Sequence, residues 1–452
     1  SCLQHFDYNI MKKESVTLLQ DLIRNKCVNY DTQESGQEIR SVKTLIKYFD
    51  FYNLSEHEVL EKAEGRANLL IKIPGEAKSK SLMFQNHLDV VPANASDWQV
   101  DPFDGVIKDG WIWGRGAIDM LIFTASQAVA FAHLHNNGFK PKGDFIFLAV
   151  ADEEGGGDYG AKWLVDAHPE KIRCDYMLGE FGGAMIDTPS GWKNSVMFAE
   201  KGPAWTSVTV KGTPGHGSAP YKSDNAIIKV NKIIDKINKN DPPIVITKEW
   251  KQFVKGLDRG KILEYMLTHK LPLKMLMLLM EKKDVDMVKA IYSLTRMTIT
   301  PTKISAGYKA NVIPDRATVG FDIRLLPGQD YSDVERYFNK TLGKSMDKVE
   351  LKKELYFPGT SEEWDNVLVD SIRKVNKIHQ PNTDIIPLFV SGTTDARFFR
   401  ELGTKCYSTS IMTEKVTSEL MGQIFHGIDE RVPIEAVEKS TLFFKDLATE
   451  FL

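Results

Sequence analysis

The sequence predicts an α/β protein, with a mixed sheet flanked by helices and interrupted by an inserted ferredoxin-like α+β domain. Three observations predict it. Short apolar strand-like runs alternate with helix-period segments through the first two hundred residues. Near Lys201 the order changes to β-α-β-β-α-β. From about residue 362 the first alternation resumes. A chain of 452 residues exceeds one ordinary core, which fits two domains. The expected division is 1–203 with 361–452, and 204–360 between them, with a mostly helical insertion at 241–298.

Val16, Leu19, Leu22 and Ile23, then Val42, Leu45, Ile46 and Phe49, recur at helical spacing and place helices within residues 14–51. Strands are expected at 67–73 and 81–88, and a helix rich in Ala, Phe and Leu at 117–136 follows the Gly114–Gly116 turn. A buried strand at 144–151 precedes a helix at 160–168. The inserted domain reads as strand 205–210, helix 226–237, strands 300–306 and 316–325, helix 332–342 and strand 348–356. Its insertion carries Met266, Met275, Met277, Met280 and Met287, a stripe that reads as core or adaptable apolar surface. The last piece reads as helix 363–378, strand 385–390, and helices 394–402 and 433–452.

Composition excludes several classes. A net charge of −3, with lysines scattered along the chain, makes no electrostatic case for nucleic acid or an anionic membrane. Leu271–Met280 is the most apolar run, but it contains Lys274 and is too short to span a bilayer. Cys2, Cys27, Cys174 and Cys406 form no CxxC pair, which argues against a disulfide framework or a thiolate zinc site. The opening residues lack a continuous apolar segment, so a cytoplasmic protein is expected.

The chemistry-bearing residues lie at predicted strand ends. Phe145–Gly157 (FIFLAVADEEGGG) closes an apolar strand with three adjacent carboxylates, Asp152, Glu153 and Glu154. Like charges there repel and lose hydration, so folding alone gives no reason for them, whereas a bound cation or a proton to be moved does. In Asn86–Pro92, His87 and Asp89 face one side at strand period, so the carboxylate can fix the imidazole tautomer. Asp119 follows a glycine turn in GRGAIDM, Glu180 ends another apolar run, and His426 stands in HGIDERV. Histidines with carboxylates and no cysteine form a ligand set for hard or borderline divalent ions.

Together, HLDVVP, GRGAIDM, ADEE, Glu180, SGTTDARFF and HGIDERV resemble the M20 metallopeptidases, zinc aminoacylases, carboxypeptidases, dipeptidases and amide deacylases, from about residue 15 onward. The resemblance implies two zinc ions per chain, with cobalt or manganese as substitutes. Asp119 would bridge them, His87 and Glu180 completing one and Glu154 and His426 the other. Asp89 would orient His87, and Glu153 would be the general base. His216 in GTPGHGS resembles the histidine that supports the oxyanion, often from a partner subunit. Asn311 and Arg324 resemble the pair gripping the substrate carboxylate, with Gly392 and Thr393 lining that pocket. The inserted domain would serve as lid or dimerisation domain, making a homodimer. One departure is Leu121, where many relatives carry Lys.

The expected activity is hydrolysis of a peptide or N-acyl amide bond beside a free carboxylate, of carboxypeptidase or dipeptidase type. The alternative is an aminoacylase or deacylase of N-acyl amino acids. The HGIDERV and SGTTDAR blocks resemble the carboxypeptidase and N-acyl-amino-acid side more than the succinyl-diaminopimelate deacylases. A catalytically inactive binding module is disfavoured because every ligand position is filled. Asp152 matches the motif without a role.

Overall fold

The computed structural model describes residues 7–452. Cys2 and the rest of the opening hexapeptide lie outside that range. The chain divides into two compact units, one built from 1–198, 362–388 and 394–452, the other from 199–361 and 389–393.

The first unit is organised on a six-stranded mixed sheet. Its strands run in the order His57–Glu61, Ala67–Ile73, Phe145–Val150, Leu82–His87, Tyr176–Leu178 and Lys405–Tyr407. The last four are mutually parallel, and the first two add antiparallel neighbours at one edge. Leu82–His87 and Phe145–Val150 are buried at every position, as strands covered on both faces must be. Three adjacent parallel strands therefore bring their C-terminal ends together, the place where such sheets bind ligands. Helices Tyr8–Arg24, Ile122–Asn136 and Ile434–Phe451 pack together. Ala117–Asn136 is long and apolar enough to cross a membrane by composition, yet its apolar window is wholly buried. A single continuous helix was expected there. Instead Ala117–Leu121 forms a wide π-type turn, with Asp119 and Met120 non-helical, before the helix starts at Ile122. Sequence reading also leaves out a small sheet of Val106–Lys108, Trp111–Trp113 and Arg431–Pro433, whose strands are only three residues long.

The second unit holds a four-stranded antiparallel sheet ordered Thr298–Ala306, Arg316–Leu325, Gly202–Lys211, Val349–Tyr356. With helices Ala226–Asn238 and Tyr331–Leu342, this is the ferredoxin-like order. Arg316–Leu325 alternates buried and less buried positions, and Val319, Phe321 and Ile323 join Val208, Val230 and Phe338 in the core. The insertion comprises four helices, Lys248–Gly256, Lys261–Thr268, Lys270–Met280 and Val285–Leu294, around a small core of Trp250, Val254, Leu267, Leu273 and Ile291.

Candidate metal centre

His87 is the last residue of its strand, Asp152–Glu154 follow the strand beside it, and Glu180 follows the strand on the other side. Asp119 enters from the π-type turn. Gly116, at φ +90°, makes the bend before it, a conformation costly for any residue with a Cβ. His426 comes just after helix Ser418–Ile424, with its ring stacked on Phe425, which stacks in turn on Phe181.

These side chains converge on Asp119, whose two oxygens face different groups. Oδ1 lies 3.1 Å from His87 Nε2, and Oδ2 lies 2.7 Å from His426 Nε2. Glu180 approaches His87 Nε2 at 3.4 Å, while Glu154 approaches His426 Nε2 at 3.1 Å. Donor atoms of His87, Asp119 and Glu180, and of Asp119, Glu154 and His426, each lie within 4.8 Å of one another. A third grouping links His87, Glu153 and Glu154. Glu153 Oε2 stands 3.6 Å from His87 Nε2, with little exposure.

Asp89 organises this shell. Its carbonyl oxygen is 2.9 Å from His87 Nδ1, so the imidazole holds its proton there and turns Nε2 toward Asp119. The Asp89 carboxylate accepts the backbone N–H groups of Glu153 and Glu154 and the amide of Asn29, tying the histidine to the acidic turn. Asp152 has a clear place after all. At φ +64°, it accepts from Asn29, Arg66 and the Tyr159 backbone, and so fixes the start of the turn. Glu430 does the same for the other side, accepting from Arg115 and from the backbone N–H groups of Ile118 and Asp119. The sequence gives no spacing signal for Asn29, Arg66 or Glu430, which join the site from distant segments.

Charge is crowded in this pocket. Burial, reinforced by the Glu180 charge, holds Glu153 well above the usual carboxylate range, and burial with Asp119 nearby pushes Glu154 up to about 8. Burial also raises Asp395, which Gln85 contacts, to about 7. Against the cost of burial, Asp119 and Glu154 raise His426 to about 10. Carboxylates that repel one another, interleaved with imidazole nitrogens, fit divalent cations, which would offset the repulsion. The donor set of nitrogen and oxygen atoms without sulfur suits zinc, cobalt or manganese.

The remaining predicted residues lie in the second unit. Gly215–His216 pairs with Val312–Ile313, which brings Asn311 beside the exposed His216, whose Nδ1 is 2.7 Å from Ser218 Oγ. Arg324 Nη1 donates to Thr393 Oγ1 at 3.1 Å, and Thr393 donates to the Lys201 carbonyl. Gly392 belongs to the same short segment. Arg324 also pairs with Asp322 at 2.7 Å.

A family model described as Peptidase family M20/M25/M40 matches residues 83–450. A probable succinyl-diaminopimelate desuccinylase of Staphylococcus aureus (strain MRSA252) is 27% identical over 445 residues, 98% of each chain. The M20 family metallo-carboxypeptidase Sso-CP2 from Sulfolobus solfataricus shares the fold with a TM-score of 0.71 at 20% identity, over 97% of this chain and 99% of its own. The YXEP protein of Bacillus subtilis, described as a dinuclear metal-binding peptidase from the M20 family, matches with a TM-score of 0.59 at 14% identity, over 97% and 98%.

Proposed function

The chain belongs to peptidase family M20/M25/M40 and is a metallohydrolase, and on that premise we propose that it cleaves a peptide bond beside a free carboxylate using two zinc ions. The observation that carries the reading is Asp119, which offers one oxygen to the His87–Glu180 group and the other to the His426–Glu154 group. Held by His87, Asp119, Glu180, Glu154 and His426, zinc would supply polarisation of the scissile carbonyl and a lowered pKa for a bound water.

The residues divide the remaining work. Asp89 holds the His87 tautomer. Glu153, close to the ligands without being needed as one, takes the proton of the attacking water on its carboxylate and passes it to the leaving nitrogen. The Arg324 fork binds the substrate carboxylate, with Asn311, Gly392 and Thr393 lining that subsite, and His216 donates to the developing oxyanion.

A second reading, hydrolysis of N-acyl amino acids, is favoured by the desuccinylase similarity, contrary to the hint in the HGIDERV and SGTTDAR blocks. Both reactions leave the same amine and carboxylate. A homodimer is supported by the edge strand Thr298–Ala306, with exposed Ile304, and by exposed Ile227 and Ile228 on the neighbouring helix. A cytoplasmic location is supported by the spacing of Cys27, Cys174 and Cys406, none of which belongs to a CxxC pair. Initial rates on dipeptides and N-acyl amino acids, each with and without chelator, test the function. Chelator-sensitive hydrolysis of dipeptides is the expected result. Preference for N-acyl amino acids would select the second reading, and chelator-insensitive turnover would refute both.

A further inference from the structure

Helix Lys270–Met280 is apolar on both sides. One side belongs to the insertion's core, where Leu273 is fully buried and Leu276 and Met277 pack against the cluster containing Trp250, Leu267 and Ile291. The other side faces solvent. Leu271, Met275, Leu278 and Leu279, spaced i, i+4, i+7 and i+8, form one stripe with exposures of 70, 56, 65 and 67%. On the adjoining helix Lys261–Thr268, Ile262 and Tyr265 are 81 and 56% exposed. A helix apolar all round normally lies in a core or in a membrane, and a contiguous exposed patch of large side chains marks an interaction site.

The charge around this stripe identifies its partner. The chain as a whole carries −3, but from Asp258 to Asp284 six basic side chains stand against four acidic ones, Asp258, Glu264, Glu281 and Asp284. Lys261, Lys270, Lys274, Lys282 and Lys283 are all exposed. The balanced total had argued against an anionic membrane. Its local imbalance argues the reverse, because basic groups beside exposed Leu, Ile and Tyr are the composition of a helix lying in a lipid interface. A second copy is a poorer fit, since a two-fold pairing through this face would bring two cationic rims together. We propose that the exposed face of the two helices Lys261–Thr268 and Lys270–Met280 docks the enzyme reversibly on an anionic lipid surface. The apolar stripe enters the headgroup–acyl boundary and the lysines contact lipid phosphates.

Co-sedimentation of the full chain with phosphatidylcholine vesicles, with and without one-third phosphatidylglycerol, tests this. The expected result is partitioning onto the mixed vesicles about tenfold or more above pure phosphatidylcholine, falling about tenfold or more in ~0.5 M salt. The double variant Leu278→Glu/Leu279→Glu changes only exposed side chains. It should lose about tenfold or more of the vesicle binding while keeping the wild-type rate on a soluble substrate. Equal sedimentation of variant and wild type, or no binding to the anionic vesicles, overturns the proposal. So does light scattering showing that the wild type self-associates and the double variant does not, without vesicle binding, because the occupant is then a second copy.

Discussion

Replacing Arg66 by Met removes one guanidinium and unbalances the support of the metal centre. Arg66 is fully buried. It donates to both oxygens of Glu38 at 2.9 and 3.1 Å, to Asp152 at 3.0 Å and to the Thr32 carbonyl at 2.9 Å. Met fills much of the volume but makes none of these bonds. Two buried carboxylates lose their cation, a change that costs about 3–5 kcal/mol when one partner of a buried pair is removed. Protonation relieves part of it. Burial already pushes Glu38 up to about 7, and Asp152 lies above its ordinary value for the same reason. The expected loss is therefore about 3 kcal/mol near neutrality, measured by denaturant unfolding of the metal-free protein. Because Asp152 anchors the turn that presents Glu153 and Glu154, zinc affinity should fall by about 10–100-fold as well. Replacing Glu38 by Met in the same chain should restore part of the stability, since one unpaired charge is removed. A single variant within about 1 kcal/mol of wild type and with unchanged zinc affinity would refute the bracing role.

Three further outcomes follow from the geometry. Glu153→Gln should keep its bound metal by elemental analysis while kcat falls about 10²–10⁴-fold, and a near wild-type rate would remove Glu153 as the base. Arg324→Lys keeps the charge but loses the planar fork, so KM for a substrate with a free carboxylate should rise about tenfold or more with kcat little changed. Burial, with Arg324 and Arg296 nearby, lowers Lys201 from its ordinary 10.5 to about 7. The unfolded chain then binds the extra proton between those values, so stability should rise with pH across that window by up to roughly 1.4 kcal/mol per unit. Lys201→Met should lack this slope in urea unfolding at pH 7, 8 and 9, and identical slopes would contradict the assignment.

Much of the fold is readable from periodicity, because the long elements bury one face or both. Strand Arg316–Leu325 alternates cleanly, and strand Phe145–Val150 is continuously apolar because neighbours cover both its sides. The short strands around Trp111–Trp113 escape notice, since three residues set no period. The break at Asp119 escapes for another reason. Ala117–Asn136 has helix-forming composition, and the turn is imposed from outside, by Glu430 accepting the Ile118 and Asp119 N–H groups. The metal-centre side chains are legible as motifs because His87, Glu153, Glu154 and Glu180 lie at or just past strand ends and Asp119 precedes a helix, while His426 follows one. Their supports are not, because Arg66 and Asp152 lie 86 residues apart and neither carries a spacing that marks it. The exposed stripe on Lys270–Met280 shows the same limit, since composition reports an apolar helix but not how many of its sides are covered.

The central claim is a two-ion centre bridged by Asp119. Its most direct test is the zinc content of the purified chain after reconstitution and removal of loose metal, compared with His426→Ala. Two ions per wild-type chain and one in the variant are expected, because His87 and Glu180 still hold theirs. One ion or fewer in the wild type, or two in both proteins, would contradict it.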